Sequence, residues 1–462
     1  MSERADVLRE EGQDTALRGL ADRMRGQLLV PGQDEYELRR RVFNYMIDRR
    51  PAAILRCAGV ADIRQGVLFA RAQQLPLSVR AGGHSVAGSA VCDGGLMLDL
   101  TPMKGIRIDP ARRIAQAQTG LLLREFDHET QAFGQATTLG IVSVTGIAGL
   151  TLGGGIGWLN GKYGLACDNV LEADVVTADG EMVTANGEQN EDLYWALRGG
   201  GGNFGVVTSL TYQLHPVSTV LAGGLSFPPD QAREALRFYH GFASEAPDEV
   251  SMAGSVSRHP DGGATVSIAV CYCGPLNEGD RVLKPLRDFG RPFAGAIEPM
   301  SYQAFQSGAD ASFPLGRQHY WKSSFLKDLT EDAIDVLLEF AATCPSPHTG
   351  IGMQQMTGAA SRVDPQATAF AHRDRQYDCL ILSQWEDPDD PDGNLDWTRR
   401  CFDALRPHLK EAVYVNNLGD QDHDRIREAY GTNYDRLAGV KARYDPNNVF
   451  SLNHNIKPRT RV

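Results

Sequence analysis

Between Arg80 and Gly205 this chain repeatedly gives up side chains for glycine. The stretches are Arg80-Ala-Gly-Gly-His84-Ser85, Gly149-Leu-Thr-Leu-Gly153-Gly154-Gly155-Ile-Gly157-Trp158, Tyr163-Gly-Leu-Ala-Cys167-Asp-Asn169 and Arg198-Gly-Gly-Gly-Gly-Asn-Phe-Gly205. Glycine destabilises the interior of a helix or strand by roughly 0.5–1 kcal/mol and is of use in turns and where backbone lies close to a ligand. Successive backbone N–H groups in turns also form anion-binding concavities. Two of the stretches carry a nucleophile, the imidazole of His84 and the thiol of Cys167. The combination points to one large phosphate-bearing cofactor attached to the protein at two places.

The rest of the sequence bounds what such a site serves. A chain of 462 residues carries an expectation of roughly three domain-sized units or two larger ones. Its apolar content of 42% is spread in short runs, none approaching the ~20 residues of a membrane span. The charged N-terminus, Met-Ser-Glu-Arg-Ala-Asp, has no apolar core of a secretory signal, so a cytoplasmic location is the default expectation. A net charge of −12 gives no electrostatic footprint for nucleic acid or an anionic membrane. The eight cysteines form neither a small-domain disulfide framework nor the paired spacing of a zinc site, and no metal is expected. Cys271 and Cys273 alternate in an apolar run and read as reduced core residues on one strand face.

Hydrophobic periodicity divides the chain. Residues 1–26 place Leu8, Leu17, Leu20 and Met24 in a polar context that suits a helical extension. From Ile54 a strand, a helix from Val60 and a strand from Pro76 lead straight into the His84 loop. A hairpin turned by Asp179-Gly180 follows the Cys167 loop, and a clear strand begins at Val206. The first unit, 27–216, is expected to close near His215-Pro216. Residues 217–409 read as an antiparallel sheet flanked by helices, and 410–462 return to the dense polar motifs of the first unit. No internal repeat is evident.

Gly200-Gly-Gly-Asn-Phe-Gly205 fits the Gly-x-Gly-x-x-Gly pattern of nicotinamide sites. That fingerprint requires a strand before the loop and a helix after it. Here a helix is expected first and a β-branched strand second, which argues against a dinucleotide fold of that kind. A flavin suits the two nucleophiles better, because imidazole attacks its 8α-methyl and thiolate its C6. Taken singly, His84 reads as readily as a structural histidine and Cys167 as a small buried hydrophobe; their places in glycine loops raise both.

With the C-terminal Tyr444-Asp-Pro-Asn-Asn-Val-Phe-Ser-Leu-Asn453-His-Asn455-Ile456 added, these motifs resemble the berberine bridge enzyme-like flavoproteins, of the vanillyl-alcohol-oxidase-type FAD-binding fold. The resemblance extends over nearly the whole chain beyond residue 27. It implies an α+β protein in which a two-part FAD-binding domain receives an inserted substrate domain. It also implies bicovalent FAD, linked through His84 at the 8α-carbon and Cys167 at C6. The residues it assigns to the cofactor are His84, Arg80, Gly82, Gly83 and Ser85; Cys167; Thr145, Gly146, Gly149, Gly153, Gly154 and Gly157; Gly205 and Val207; and Asn453 and Asn455. In such a site the protein supplies binding, orientation and electrostatics, and the cofactor supplies the hydride chemistry.

The substrate side departs from the family pattern. Alcohol- and sugar-oxidising members commonly end a Tyr-x-Asn-Tyr stretch in a tyrosine that acts as phenolate base, whereas this chain has Tyr414-Val-Asn-Asn417. Asn417 is shared with an amine-oxidising bacterial relative, and a neutral amine needs no strong base. Gln355, in a stretch that often supplies a Glu or Gln facing the flavin, is the third candidate beside Tyr414 and Asn417; it can hydrogen-bond but not act as a base. Tyr320, Trp321 and Tyr434 are available aromatics that read first as core. Thr145 is small enough to admit O2. The sequence thus suggests an oxidase, releasing H2O2, for a small apolar or aromatic alcohol or amine. Its rivals are a lactone-forming carbohydrate oxidase, a flavin-bearing sequestration protein and a nicotinamide enzyme.

Overall fold

The computed structural model describes residues 15–459. Residues 15–21 form a helix that buries Leu17 and Leu20; the rest of the expected helical extension before it lies outside the described residues.

The strand–helix–strand reading from Ile54 corresponds to Ala53–Arg56, Val60–Ala72 and Leu77–Arg80. The helix buries Ile63, Val67 and Ala70 on one face, the spacing of an amphipathic helix. Both strands flank Leu96–Asp99 in parallel, and Gln27–Leu29 adds an antiparallel edge. A five-stranded antiparallel sheet follows, ordered Ile106–Asp109, Ile114–Gln118, Val206–Gln213, Val170–Val176 and Met182–Asn186.

The third large sheet is antiparallel throughout, with seven strands all lying between residues 219 and 385. Its spatial order is Ala294–Ser301, Thr219–Phe227, Ala264–Tyr272, Val250–Arg258, Gly350–Met356, Gln376–Trp385 and Gln318–Leu326. One face carries Phe227, Met252, Val266, Ile268, Ile351, Met353 and Ile381, packed with Leu236, Leu337 and Trp397 of the helices that cover it. The opposite face is built of smaller or polar groups, among them Ser226, Ser255, Ser267, Gly352 and Gln354, all half-buried. This alternation leaves the second face open toward the glycine loops.

The chain then returns to its first half. Val413, Tyr430, Leu437, Tyr444 and Ile456 share one buried core with Leu123, Ile147, Trp195, Phe204 and Tyr212. A fully buried Lys441 fixes the return: Nζ donates to the carbonyls of Asn203 (2.7 Å) and Phe450 (3.0 Å) and pairs with Asp445 at 2.5 Å. No helix of the described residues is long and apolar enough to cross a membrane. All eight cysteines are free, and Cys273 falls just beyond its strand, half-buried.

Candidate active site

His84 follows the strand Leu77–Arg80 through two glycines. A Cβ on Gly82 would lie 2.4 Å from the Gly146 nitrogen, and one on Gly146 would lie 2.5 Å from the Gly82 nitrogen. The His84 loop and the Thr145–Gly149 loop are therefore pressed together backbone to backbone, a contact only glycine permits. The ring of Phe43 stacks on His84 with centroids 3.8 Å apart. His84 Nε2 is buried without a hydrogen-bond partner, and desolvation lowers the imidazole pKa to about 4. At neutral pH the ring thus keeps the uncharged form that a nucleophile requires.

Cys167 sits in the short 3-10 turn Ala166–Asn169, fully buried. Its backbone N–H donates to the Gly154 carbonyl (2.8 Å) and that of Ala166 to the Gly155 carbonyl (2.9 Å). Tyr414, against the same stretch, accepts from the Gly155 N–H at 2.9 Å and from Asn416 Nδ2 at 2.7 Å. Burial raises the tyrosine pKa, so its hydroxyl stays protonated and acts as a brace for the glycine turn. Gly153 leaves room for Asn416, and Gly157 for the Leu139 carbonyl. Gly149 is exposed, and a Cβ there would meet nothing within 4 Å.

The third group of expected cofactor residues gathers where the chain returns. Asn453 Nδ2 donates to the Gly202 carbonyl at 2.7 Å. Asn203 reaches both the Gly200 carbonyl (2.9 Å) and that of His454 (3.2 Å). The helix Glu191–Leu197 precedes this loop and the strand Val206–Gln213 follows it, the reverse of the nicotinamide arrangement. Gly205 lies against Val175, and the Val207 carbonyl accepts from Thr119 at 2.8 Å. Arg80 donates to the Arg39 carbonyl, while its Nε, Arg198 Nε and Asn455 Oδ1 are buried without partners. Ser85 and Thr145 are half-buried. Orphaned polar atoms, a neutral imidazole with a buried Nε2 and glycine turns in contact together suit an elongated polar group such as FAD, which His84, Cys167 and the loops around them would hold.

On the substrate side the register separates neighbours. Gln354 lies opposite Asp378 and Gln355 opposite Tyr377, and residues directly opposite share a sheet face. Gln355 therefore points to the helix layer, where its amide donates to the Ala243 carbonyl. The expected role of Gln355 at the flavin is not supported by this geometry; Gln354 occupies the open face instead. Asn417 does lie at this face, and it exposes a residue that sequence reading missed. Its amide donates to Asp378 Oδ2 at 2.8 Å and Oδ1 at 3.0 Å, and Ser323 donates at 3.2 Å. Burial raises the Asp378 carboxyl to about 7, against the lowering effect of those two partners. Phe43, Val86 and Trp321 form an apolar cluster nearby, with Phe313, Leu380 and Leu382 packed on it. Phe43 also stacks on His319 at 4.1 Å, and Asn44 bridges the Val86 and His319 carbonyls at 2.8 and 3.0 Å. Arg373, also unforeseen, is 2% exposed beside Cys167.

A family model described as an FAD binding domain matches residues 51–186, and one described as berberine and berberine like matches residues 413–457. An FAD-linked oxidoreductase of Dictyostelium discoideum is 32% identical over 94% of this chain and 95% of its own. The (R)-6-hydroxynicotine oxidase of Paenarthrobacter nicotinovorans is 30% identical over 94% of this chain and 97% of its own. The crystal structure of 6-hydroxy-D-nicotine oxidase from Arthrobacter nicotinovorans superposes with a TM-score of 0.85 at 28% identity, covering 94% of this chain and 98% of that one. The two matched ends flank the seven-stranded sheet, and the full-length relatives span it as well. The chain accordingly belongs to the berberine bridge enzyme-like FAD-linked oxidoreductases, with their vanillyl-alcohol-oxidase-type α+β fold.

Proposed function

We propose that this protein is an oxidase for a small apolar or aromatic amine or alcohol, with FAD carried on both His84 and Cys167 and O2 as the electron acceptor. When bound, the flavin would accept a hydride from the substrate and return the electrons as H2O2. The observation that carries the substrate side is the buried pair Asp378–Asn417, standing where this chain lacks a tyrosine base. A carboxyl raised to about 7 is part ionised at neutral pH and able to take a proton from a substrate N–H or O–H. Asn417 orients it with a two-pronged contact. The cluster of Phe43, Phe313, Trp321, Leu380 and Leu382 supplies an apolar wall that favours an aromatic or aliphatic body over a sugar ring. The name of the hydroxynicotine oxidase relative adds weight to an amine.

Anaerobic mixing with a panel of aromatic amines, benzylic alcohols and aldoses tests the reading. Bleaching of the flavin by an amine or apolar alcohol, with peroxide on admitting air, is the expected result. Bleaching by aldoses alone would replace it with carbohydrate oxidation. A shifted but unbleached spectrum with bound ligand would replace it with sequestration.

A further inference from the structure

We infer that Arg373 is the group that positions Cys167 and favours its thiolate form for bonding to the flavin. The inference rests on the bicovalent reading above. Arg373 lies in the segment 363–375 that leaves the seven-stranded sheet and docks on the other half of the molecule. There the Trp195 indole donates to the Gln366 carbonyl (2.7 Å), Arg198 to that of Ala367 (3.1 Å), and Asn433 to those of Pro365 (2.7 Å) and Thr368 (3.1 Å). The Phe370 N–H donates to the Arg198 carbonyl at 3.2 Å. A Cβ on Gly199 would strike the Phe370 nitrogen at 2.3 Å, so the approach is as close as backbone allows.

This docking delivers a buried guanidinium to the thiol. Arg373 grips Asp168 with two parallel bonds, Nη1 to Oδ2 and Nη2 to Oδ1, both 2.7 Å. Nη2 also donates to Thr368 Oγ1 at 2.7 Å, Nη1 to the Ala360 carbonyl at 3.2 Å and Nε to the Phe370 carbonyl at 3.2 Å. So tethered, Nη2 stands 3.9 Å from Cys167 Sγ. Burial is the largest influence on the thiol and raises it strongly; Asp168 raises it further, and Arg373 and Arg198 oppose both. Tyr194 and Tyr414 complete the titratable surroundings, and burial keeps both protonated. Arg373 is thus the cation in direct contact with the sulfur and able to stabilise its negative form.

In the bond-forming step, thiolate Sγ bonds to ring C6, the proton on C6 leaves, and the electron pair remains on the ring. O2 then takes two electrons and two protons and departs as H2O2, so that thiol, C6–H and O2 become thioether and peroxide. The attacking species is the thiolate, whose fraction changes tenfold per pKa unit; nucleophilicity recovers about half of each decade. An opposite charge within about 4–6 Å moves a pKa by roughly 1–3 units, so loss of the guanidinium should slow bond formation on the order of tenfold.

Holoprotein of the natural chain, Arg373→Gln, Arg373→Lys, Asp168→Asn and Cys167→Ser would be aged in air across a pH series, acid-denatured, alkylated with iodoacetamide and weighed intact. The natural chain should carry flavin and resist alkylation at Cys167. Arg373→Gln should keep flavin through His84 yet leave Cys167 alkylatable, with bond formation slowed about tenfold at neutral pH and restored toward alkaline pH. Arg373→Lys should recover part of the rate. Asp168→Asn keeps one of the two acceptor oxygens that grip Arg373 and removes the charge that opposes thiolate, so the pH profile of bond formation should move toward lower pH, opposite in direction to Arg373→Gln. An ion pair that only holds the loop would lower the bonded fraction in both Arg373→Gln and Asp168→Asn without moving the pH profile of either, and that result would overturn the inference, as would a natural rate and pH profile in Arg373→Gln. Alkylatable Cys167 in the natural chain would instead overturn the bicovalent reading itself.

Discussion

Asp378 is a carboxyl kept largely protonated by burial at acid pH and ionised above about 7, so a role as base has a definite sign. The rate of flavin reduction should rise as pH passes upward through about 7 and level off above it. Asp378→Asn preserves shape and one acceptor oxygen while removing the proton acceptor; stopped-flow reduction should fall by roughly 10²–10⁴, the usual contribution of a general base, with the pH dependence flattened. An unchanged pH profile in that variant would remove Asp378 from the chemistry. His84 follows the opposite logic: lowered to about 4, it gains a proton only in acid, so its neutral form prevails at neutral pH.

At the scale of elements, the contact between Gly82 and Gly146 is unforgiving. Gly82→Ala would drive a methyl group into the Gly146 nitrogen and Cα, at 2.4 and 2.5 Å, with no flexible side chain to yield. The expected outcome is purified protein with much less bound flavin, read from the ratio of visible to protein absorbance. The helix Val60–Ala72 and the strand Val206–Gln213 were legible in the sequence because their apolar residues recur at the helical and extended periods. The place of Gln355 was not. A strand's side chains alternate, so one position decides which face a residue serves, and only the pairing with Tyr377 settles it. Asp378 stood in view as an acid within the apolar run Tyr377-Asp-Cys-Leu-Ile-Leu, but its meaning depends on Asn417, 39 residues away. Arg373 gave no local signal at all, since its partner Asp168 is 205 residues distant.

For the whole molecule, the decisive feature is that one core is assembled from residues 115–214 and from the return segment 413–456. Lys441→Met should expose how much depends on the return segment. It leaves Asp445 buried without its cation and frees the Asn203 and Phe450 carbonyls, a loss of about 3–5 kcal/mol for a broken buried pair. A lower denaturant midpoint, with weaker flavin retention, is the expected reading. The same return segment sets a schedule. Lys441 is made 238 residues after the Asn203 carbonyl it secures, which at about 5–20 residues per second is an interval on the order of 10–50 s. Throughout that time the ribosome has already released His84, Cys167 and the loop around Asn203, while the polypeptide that closes over them has yet to be translated. Cofactor capture thus waits for the residues around Lys441, and until they emerge the core face beside Asn203 stays uncovered.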